Sequence, residues 1–532
     1  MAQSKLIPLF YAPDLDQSWD INPGVLNLVN NYVPTKRGTW VNYANGPTQN
    51  MADPGTWAIG TYGTPITGYI FKAVAGGSAS ARMFVCSAKT HFRILELTSA
   101  GVVTDRSKGA VDYSACTNWT MTAAGNAIIA ANGVDKLQVS TGGAFADMAG
   151  GEPTGAQCLA ANLGFILAGN MGDGTNADAW GCSALGNYAS WTPSLATQAA
   201  NGRLLDTPGP IRAMVSLRDA VIAYKDDSIY VGNYIGDTVN GVIWGWQVIS
   251  DKIGCSSPHG VAVLNNVHYF LHKTGVYAFD GTQVSNIGNG VQRETLRRVA
   301  DVSALAFAQS GVDEQEGVVY FGFPLGPTGT EVQFTLMLNV NTGRWGGCMS
   351  GGTCWHEATL GNGHLYGYLH AGISDLVQWE SNSWNVTANG SGPVCIGSND
   401  NGVTGLLRIP QYGVAVVNST AGDATISTGW LCTGPTMSYL RRWWPRFSFF
   451  GTQTNTPSGA IFGQRREADA VGGWSQPPSS GGFSTIGWNA NDNAFDSSGS
   501  QTANRALRVL MTLRGPHEIN GVWVDLESAG SA

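Results

Sequence analysis

The sequence predicts a mostly β protein: a six- or seven-bladed β-propeller with an N-terminal extended arm and a C-terminal β domain. Three observations predict this class. Glycine supplies 71 of the 532 residues without a collagen-like period, which indicates many turns. Aromatic and β-branched residues fill the short stretches between those turns, as is typical of strands. A strand–turn–strand unit also recurs along the chain, as it does in propeller repeats.

The clearest copy of this unit lies between Gly260 and Ile287. Three turn signals, Asn265-Asn266, Lys273-Thr274-Gly275 and Asp280-Gly281, separate four short apolar runs. Asn residues and the Asp-Gly pair tolerate the positive φ angles that tight hairpin turns require. The segment leaves no room for helices between its strands. It therefore predicts a local four-stranded meander, which is the unit of a propeller blade.

The inner part of this unit, two apolar strands around a polar turn, recurs along most of the chain. Successive copies begin roughly 37 to 56 residues apart, close to the roughly 40 to 50 residues of a propeller repeat. This array predicts six or seven blades. A run of stacked β-sandwiches, which has similar strands and turn spacing, is the alternative. The copies begin at Arg82, Ala127, Gly164, Ala220, Val267, Val318 and His364.

Composition divides the chain into four parts. Residues 1–50 contain scattered prolines and are predicted to form an extended arm, and residues 51–380 are predicted to form the propeller. Residues 381–405 are rich in Gly, Ser and Asn and predict a long loop or a domain boundary. Residues 406–532 contain several strand-like runs and predict a C-terminal β-sandwich-like domain.

Charge and apolar patterning argue against several classes of function. The net charge is −8, whereas a sequence-reading DNA-binding domain usually has a basic face. The negative sign suits a surface that DNA passes without sticking, because like charge repels phosphate. The opening stretch MAQSKLIPLFYAPD lacks a signal-peptide pattern, and the sequence contains no apolar run long enough to span a membrane. We therefore predict neither a cleaved signal nor a membrane span.

Enzyme signatures are missing from the sequence. It contains no nucleophile elbow, no H-E-x-x-H motif and no P-loop. A propeller glycosidase would need two carboxylates around the scissile bond. The acidic clusters, Asp226-Asp227 and Asp313, Glu314 and Glu316, fall at turn positions, where solvated turn residues are the favoured interpretation. No catalytic residue and no cofactor is predicted.

Cysteine and histidine spacing predicts no metal centre. Cys348, Cys354 and His356 lie close in sequence, as do Cys255 and His259, but neither group fits a common zinc-site spacing. The nine cysteines are odd in number and dispersed along a large chain. This pattern favours free buried thiols over a disulfide framework.

The segment RRWWPRF is the strongest candidate for an interaction site. It combines Arg441, Arg442 and Arg446 with Trp443 and Trp444. Arg and Trp dominate the centres of protein–protein interfaces, so an interface is the favoured interpretation. Two alternatives remain: a core strand whose Arg stems pack over aromatic rings, and stacking on single-stranded nucleic acid.

Several segments together resemble the tail nozzle proteins of short-tailed bacteriophages, also described as packaged-DNA stabilisation proteins. Each segment is built from turn and strand residues, and their order along the chain strengthens the match. They are VIAYKDDSIYVGNYIG (Val221–Gly236), SDKIGCSSPHGVAVLNNVHYFLHKTGVYAFDGTQVSNIG (Ser250–Gly288), VVYFGFP with LMLNVNTGRWGG (Val318–Gly347), and STGWLCTGPTMSYLRRWWPRF with RALRVLMTLRGPHEINGVWVDLESAG (Ser427–Phe447 and Arg505–Gly530).

This resemblance implies a propeller protomer that forms a homo-oligomeric ring, expected to be a hexamer, at the end of a virion tail. The ring is expected below the portal and its head-to-tail adaptor protein, with fibres or spikes as further partners. It would retain packaged double-stranded DNA without sequence specificity and conduct it during ejection, after assembly in the host cytoplasm. A carbohydrate-binding propeller or adhesin, for which 18 tryptophans offer stacking platforms, is one alternative, and a propeller hydrolase is another.

Overall fold

The computed structural model contains strands throughout its described part and very little helix. It describes residues 3–7, 11–15, 25–30, 32–42, 50–52, 59–75, 78–88, 90–97, 103–171, 176–292, 302–314, 316–324, 332, 334–349, 364–370, 394–398, 404–408, 424–429, 431–432, 436–449, 458–464, 484–489, 494–496, 506–513 and 517–531. Within these ranges the helices are short: α1 (Ile59–Tyr62) and three 3₁₀ turns (Pro13–Leu15, Lys108–Ala110 and Val302–Phe307). The predicted mostly β class is confirmed.

Five short strands come first along the chain: β1 (Gln3–Ile7), β2 (Leu26–Asn30), β3 (Tyr32–Pro34), β4 (Trp40–Asn42) and β5 (Asn50–Ala52).

Six consecutive groups of four antiparallel strands follow, and within each group the strands pair in chain order. Each group is one blade of a propeller. The first is β6–β9 (Thr64–Ala75, Ser78–Ala88, Ile94–Leu97, Val103–Asp105) and the second β10–β13 (Thr120–Ala124, Ala127–Ala131, Gln138–Ser140, Ala146–Asp147). The third is β14–β17 (Ala156–Asn162, Phe165–Met171, Ala179–Cys182, Ala200–Arg203) and the fourth β18–β21 (Ala213–Leu217, Ala220–Tyr224, Ile229–Asp237, Val242–Ser250). The fifth is β22–β25 (Val261–Leu264, Val267–His272, Gly275–Phe279, Val284–Asn286) and the sixth β26–β29 (Gln309–Asp313, Val318–Phe323, Phe334–Asn339, Arg344–Met349).

Both faces of a blade are buried, which explains why the strands have continuous apolar runs rather than clean alternation. In β15, Ile166 packs in one cluster with Ile129 of the second blade. The next residue, Leu167, packs in a different cluster with Val221 of the fourth blade. Successive side chains of a strand point to opposite faces, so each face of the third blade is covered by a neighbour. Strands β27 and β28 are buried at every residue for the same reason.

The first strand of each of these six blades faces the propeller axis. One cavity of about 410 Å³ is lined by residues of all six first strands. They include Tyr69, Met121, Leu159, Met214, Ala262 and Ser310.

A seventh blade closes the ring. Strands β30 (His364–His370), β31 (Val394–Ser398) and β32 (Thr404–Arg408) pair in sequence, and the early strand β5 completes the blade by pairing with β32. The first strand, β30, contacts β26 of the sixth blade and pairs in parallel with β6 of the first. A strand that precedes the first blade in the sequence is therefore the outermost strand of the last blade. In the described part of the chain the propeller has seven blades, within the six or seven that were predicted.

The two ends of the chain share a second, twelve-stranded sheet. Its order is β2-β33-β39-β36-β37-β38-β35-β40-β4-β3, with β1 added at β40 and β34 at β39. Strands of residues 1–50 are thus interleaved with strands that follow the propeller. The later strands are β33 (Ala424–Thr428), β34 (Leu431–Cys432), β35 (Thr436–Phe449), β36 (Ser458–Gln464), β37 (Ser484–Asn489), β38 (Ala494–Asp496), β39 (Ala506–Leu513) and β40 (His517–Ser531).

This terminal sheet packs against the sixth blade. Tyr32 and Trp40 share one apolar cluster with Phe334 of the blade and Val524 of β40. Strand β3 crosses β29 closely, since a Cβ on Gly346 would lie 2.5 Å from the carbonyl oxygen of Tyr32. Glycine is needed at that position because any side chain would force the two strands apart.

Asn265, Asn266, Asp280 and Gly281 of the fifth blade lie between strands, whereas Gly275 is the first residue of β24. Asn265 and Asn266 form the two-residue connection between β22 and β23, with φ of 53° and 58°. Their positive φ values match the tight primed turn of a hairpin. The connection at Asp280 and Gly281 is longer, because pairing resumes only at Val284. There the carboxylate of Asp280 accepts hydrogen bonds from the backbone N–H groups of Gln283 and Thr282, which lower its pKa to about 2.

The segment 381–405 contains strand structure. Strand β31 and the first residues of β32 fall inside it, so the pairing of the seventh blade continues to Arg408. The remaining residues of that segment lie outside the described part.

The described cysteine side chains are free and buried. Burial raises the pKa of the thiols of Cys158 and Cys255 to about 12, which keeps them protonated and unreactive near neutral pH. The group comprises Cys86, Cys116, Cys158, Cys182 and Cys255.

Candidate functional site

The propeller axis is bridged by side chains rather than open. His259 precedes β22 in the fifth blade and is 5% exposed. Its Nε2 donates to Oδ1 of Asn118, which precedes the second blade, and its Nδ1 lies 3.5 Å from the hydroxyl of Tyr69 in the first blade. Because these residues come from blades far apart in the ring, their contacts cross the axis.

A second cavity, which we call the mouth pocket, lies at the end of the axis where the first strands begin. Its volume is about 310 Å³, and it shares Pro258 and His259 with the axial cavity. Loops that precede the first strands supply most of its wall. Its polar side chains include Thr64, Thr117, Asn118, Gln157, Arg212 and Gln309, and its larger apolar ones Ile66, Phe92 and Phe307.

Neighbouring side chains hold two of these polar groups in place through hydrogen bonds. Nε and Nη2 of Arg212 lie 3.1 to 3.3 Å from the carboxylate of Asp226. The side-chain oxygen of Gln157 accepts a 2.8 Å hydrogen bond from Nδ2 of Asn170. Gln309 is only 8% exposed, and its Oε1 is buried without a hydrogen-bond partner. An unpaired buried oxygen is costly and is therefore expected to take a partner when one is offered.

The sequence prediction missed the mouth pocket, although a signal for it exists. Asn118, Gln157, Arg212, His259 and Gln309 each lie within two residues of the beginning of a blade's first strand. A polar residue close to the beginning of the first strand in five consecutive repeats marks one end of the propeller axis. No single one of these residues is unusual, so only the aligned repeats would have revealed the set.

A second histidine connects two neighbouring blades. His268 of the fifth blade is fully buried. Its Nε2 donates to the carbonyl of Ser216, and its Nδ1 lies 2.8 Å from the hydroxyl of Tyr224 in the fourth blade. Burial lowers the pKa of His268 to about 4, although the bond to Ser216 opposes the shift.

We expect acid to destabilise the propeller through His268. The unfolded chain takes up a proton near pH 6.5, whereas the folded chain takes it up only near pH 4. Stability from this group is therefore complete above pH 6.5 and is lost as the pH falls towards 4. The loss by pH 5 is about 2 kcal/mol. Urea unfolding at pH 7.5 and at pH 5 measures it, and His268→Gln should narrow the difference between the two pH values. An equal difference in the variant would contradict the assignment.

The structure divides the RRWWPRF segment between two faces of β35. Trp443 is fully buried in the cluster of the terminal sheet. Trp444 is half-buried and stacks on Trp523 of β40 at 6.1 Å, and the guanidinium of Arg442 lies 5.8 Å from the ring of Trp444. Arg446 is exposed. The side chain of Arg441 lies outside the described residues. A contact of the outer face with another chain stays a prediction.

Four of the five acidic residues of the predicted turn clusters have hydrogen-bond or ion-pair partners, and the fifth, Glu314, is exposed. Asp226 is paired with Arg212, and Asp227 with both Lys273 and His272. Asp313 is buried and accepts from the backbone N–H of Glu316, and the Glu316 carboxylate lies 3.2 Å from Nζ of Lys36.

No group of three or more potential metal ligands occurs among the described residues. Cys255 Sγ donates to the carbonyl oxygen of Ser257, and His259 is bonded to Asn118, so neither is arranged around a shared metal position. Cys354, His356 and the side chain of Cys348 lie outside the described part. Within that part, no helix has the length and apolar character that crossing a membrane requires.

Comparison with solved structures yields distant structural likenesses, of which two are described below. No protein-family model and no curated protein matches the sequence. A computationally designed protein, Ika8, aligns over 66% of this chain and 98% of its own, at 12% identity and a TM-score of 0.32. The protein YCF48, solved with a D1 peptide, aligns over 67% of this chain and 96% of its own, at 10% identity and a TM-score of 0.38. The propeller assignment rests on the sheet topology alone.

Proposed function

We propose that the chain is a structural virion protein, the nozzle at the end of a short phage tail, whose ring-shaped assembly retains packaged DNA and conducts it during ejection. The observation that carries this proposal is the ordered set of segments that resemble the tail nozzle family. Three of them lie in the fourth, fifth and sixth blades, and the fourth contributes β39 and the paired strands β35 and β40 of the terminal sheet. The resemblance therefore spans both structural units of the chain.

The DNA path in this proposal runs between protomers. The axis of a single propeller is bridged by His259, Asn118 and Tyr69, and its cavity is about 410 Å³. A DNA duplex cannot cross such an axis, because its major groove alone is about 12 Å wide. A ring of protomers, in contrast, encloses a channel when its head-to-tail contacts close by rotation. The expected assembly is a hexamer.

The charge of the chain suits a conduit. With a net charge of −8 and 29 Lys and Arg residues in 532, the protein is poor in cations. Each cation that binds phosphate tightly would hold the DNA back, and the binding would fall steeply with salt. A neutral or acidic channel wall lets the duplex slide, so the role needs neither sequence recognition nor catalysis.

The terminal sheet is the proposed docking element. Its outer face presents Arg442, Trp444 and Trp523 in contact with one another, with Arg446 two residues further along the strand. Clustered Arg and Trp side chains are typical of the centres of protein–protein interfaces. We assign this face to contacts with a neighbouring protomer or the portal adaptor, while fibres or spikes attach elsewhere.

Electron microscopy of antibody-labelled virions tests the proposal. We expect label at the distal end of the tail, and averaged images of detached tails should show a ring around a central opening. The same antibody, absorbed beforehand with purified protein, is the control and should leave virions unlabelled. Virions that carry no label would overturn the proposal.

A further inference from the structure

The mouth pocket is built by widely separated parts of the chain. Residues of the first, third and sixth blades and of the loops before the second, fourth and fifth blades line it. The bridge of His259, Asn118 and Tyr69 closes its floor on the axial side. At about 310 Å³ it falls in the range of pockets that hold small ligands, about 300 to 1,000 Å³.

The charge of the pocket selects the ligand. Arg212 is the only Lys, Arg, Asp or Glu side chain among its described lining residues. The carboxylate of Asp226 orients the guanidinium through Nε and Nη2, and Nη1 is the nitrogen outside that pair. A guanidinium held in this way suits a carboxylate ligand. A free amino acid fits poorly, because its ammonium group would meet no counter-charge.

The remaining wall suits a ligand with many hydroxyl groups and one apolar face. The amides of Asn118, Gln157 and Gln309 line one part, and Oε1 of Gln309 is a buried acceptor without a partner. Phe92 and Phe307 supply aromatic surface. A pyranose ring has this character, since its hydroxyls donate and accept in its plane while its C–H groups form an apolar face.

We infer that the mouth pocket binds an acidic monosaccharide unit, with its carboxylate on Arg212, its hydroxyls on the three amides and its ring face against the two phenylalanines. This inference is independent of the proposed nozzle role, and the labelling of virions does not bear on it.

Calorimetric titration of the full-length purified chain tests the inference. The probes are glucuronic acid, galacturonic acid and N-acetylneuraminic acid. Glucose, galactose and N-acetylglucosamine are the neutral controls, and cyclohexanecarboxylate is the acid without hydroxyls. We expect one of the sugar acids to bind saturably with a Kd of about 1 mM, as its size permits. The control compounds should bind about tenfold more weakly or worse. Saturation by none of the sugar acids, or equal binding of a neutral sugar, would overturn the inference.

Two variants locate the site. Arg212→Gln should weaken binding about 10- to 100-fold, because a charged hydrogen bond is lost. Thr117→Trp places a bulky side chain at an exposed rim position and should abolish binding without disturbing the core. The matched control is Arg203→Gln in the third blade, which breaks an ion pair with Asp178 outside the pocket and should leave binding unchanged. If Arg212→Gln does not fold, Thr117→Trp decides, and full binding by that variant would overturn the inference.

Discussion

Replacing Glu96 with Ala is expected to lower the free energy of unfolding of the propeller by about 3 to 5 kcal/mol. In the first blade the Glu96 carboxylate is held by Nε and Nη2 of Arg82, at 2.6 and 2.9 Å, and by Nε of Arg106 at 2.6 Å. Burial raises the pKa of this carboxyl, but the two arginines outweigh that effect and hold its pKa below the usual range. The Glu96 and Arg82 side chains are only 12% and 11% exposed. Removing the carboxylate leaves the buried Arg82 without its counter-charge.

An exposed ion pair nearby supplies the control. Nζ of Lys108 lies 2.6 Å from Asp147, but the two side chains are 52% and 39% exposed. Water screens such a pair, so Lys108→Ala should cost less than about 1 kcal/mol. The loss of unfolding free energy for Glu96→Gln should lie between the losses for Glu96→Ala and Lys108→Ala, since the amide oxygen still accepts a hydrogen bond. Urea unfolding followed by circular dichroism at pH 7 measures all three variants. Equal midpoints for Glu96→Ala and Lys108→Ala would show that the buried cluster has no special weight.

Local features of the sequence were enough to predict the blades. Asn265 and Asn266 tolerate the positive φ angles that a tight hairpin turn requires and that few other residues adopt, and the apolar runs between turns have strand composition. Six copies of the repeat begin within, or directly before, the second strand of a blade, as the copy at Val267 does at the start of β23. The seventh copy, at His364, begins on a first strand instead. Each of these signals acts within a few residues, which is why the sequence alone carries them.

Long-range pairings could not be predicted in this way. Ala52 of β5 pairs with Leu406 of β32 to complete the seventh blade, and Trp40 of β4 pairs with Ile519 of β40. No local pattern specifies such partners, because a strand edge can pair with any strand of suitable length and face. The arm predicted for residues 1–50 therefore supplies strands β1 to β4 to the terminal sheet, and its last residue, Asn50, begins the strand that completes the seventh blade.

The site likewise depends on contacts between residues that are far apart in the sequence. In the sequence His259 stands out only by its spacing from Cys255, and it closes the axis only because the ring brings Asn118 and Tyr69 to it. The RRWWPRF segment was conspicuous by composition, yet composition does not say which residues face outward. The alternation of side chains along β35 decides which of them are buried: Trp443 lies in the core, whereas Trp444 and Arg446 lie on the other face.

Trp443→Ala is expected to destabilise the fold and Arg446→Ala to leave its stability unchanged, although the two residues lie three positions apart on one strand. Trp443 is fully buried beside strands β38 and β40, so its removal leaves a large cavity and should cost about 3 to 5 kcal/mol of unfolding free energy. Arg446 is exposed, and its replacement should change that free energy by no more than about 0.5 kcal/mol. Thermal unfolding of the purified chain distinguishes the two.

Assembly, in contrast, should be sensitive to the exposed Arg446. If the outer face of β35 is an interface, Arg446→Ala keeps its fold but reduces incorporation into tails or rings, as measured by sedimentation of assembled particles. The double change Arg442→Ala with Arg446→Ala should reduce it further, because Arg442 belongs to the same stacked group as Trp444. Lys108→Ala, a change of the same charge in the first blade, should assemble normally. Full assembly by the double variant would contradict the interface, and the segment would then act through the buried Trp443 alone.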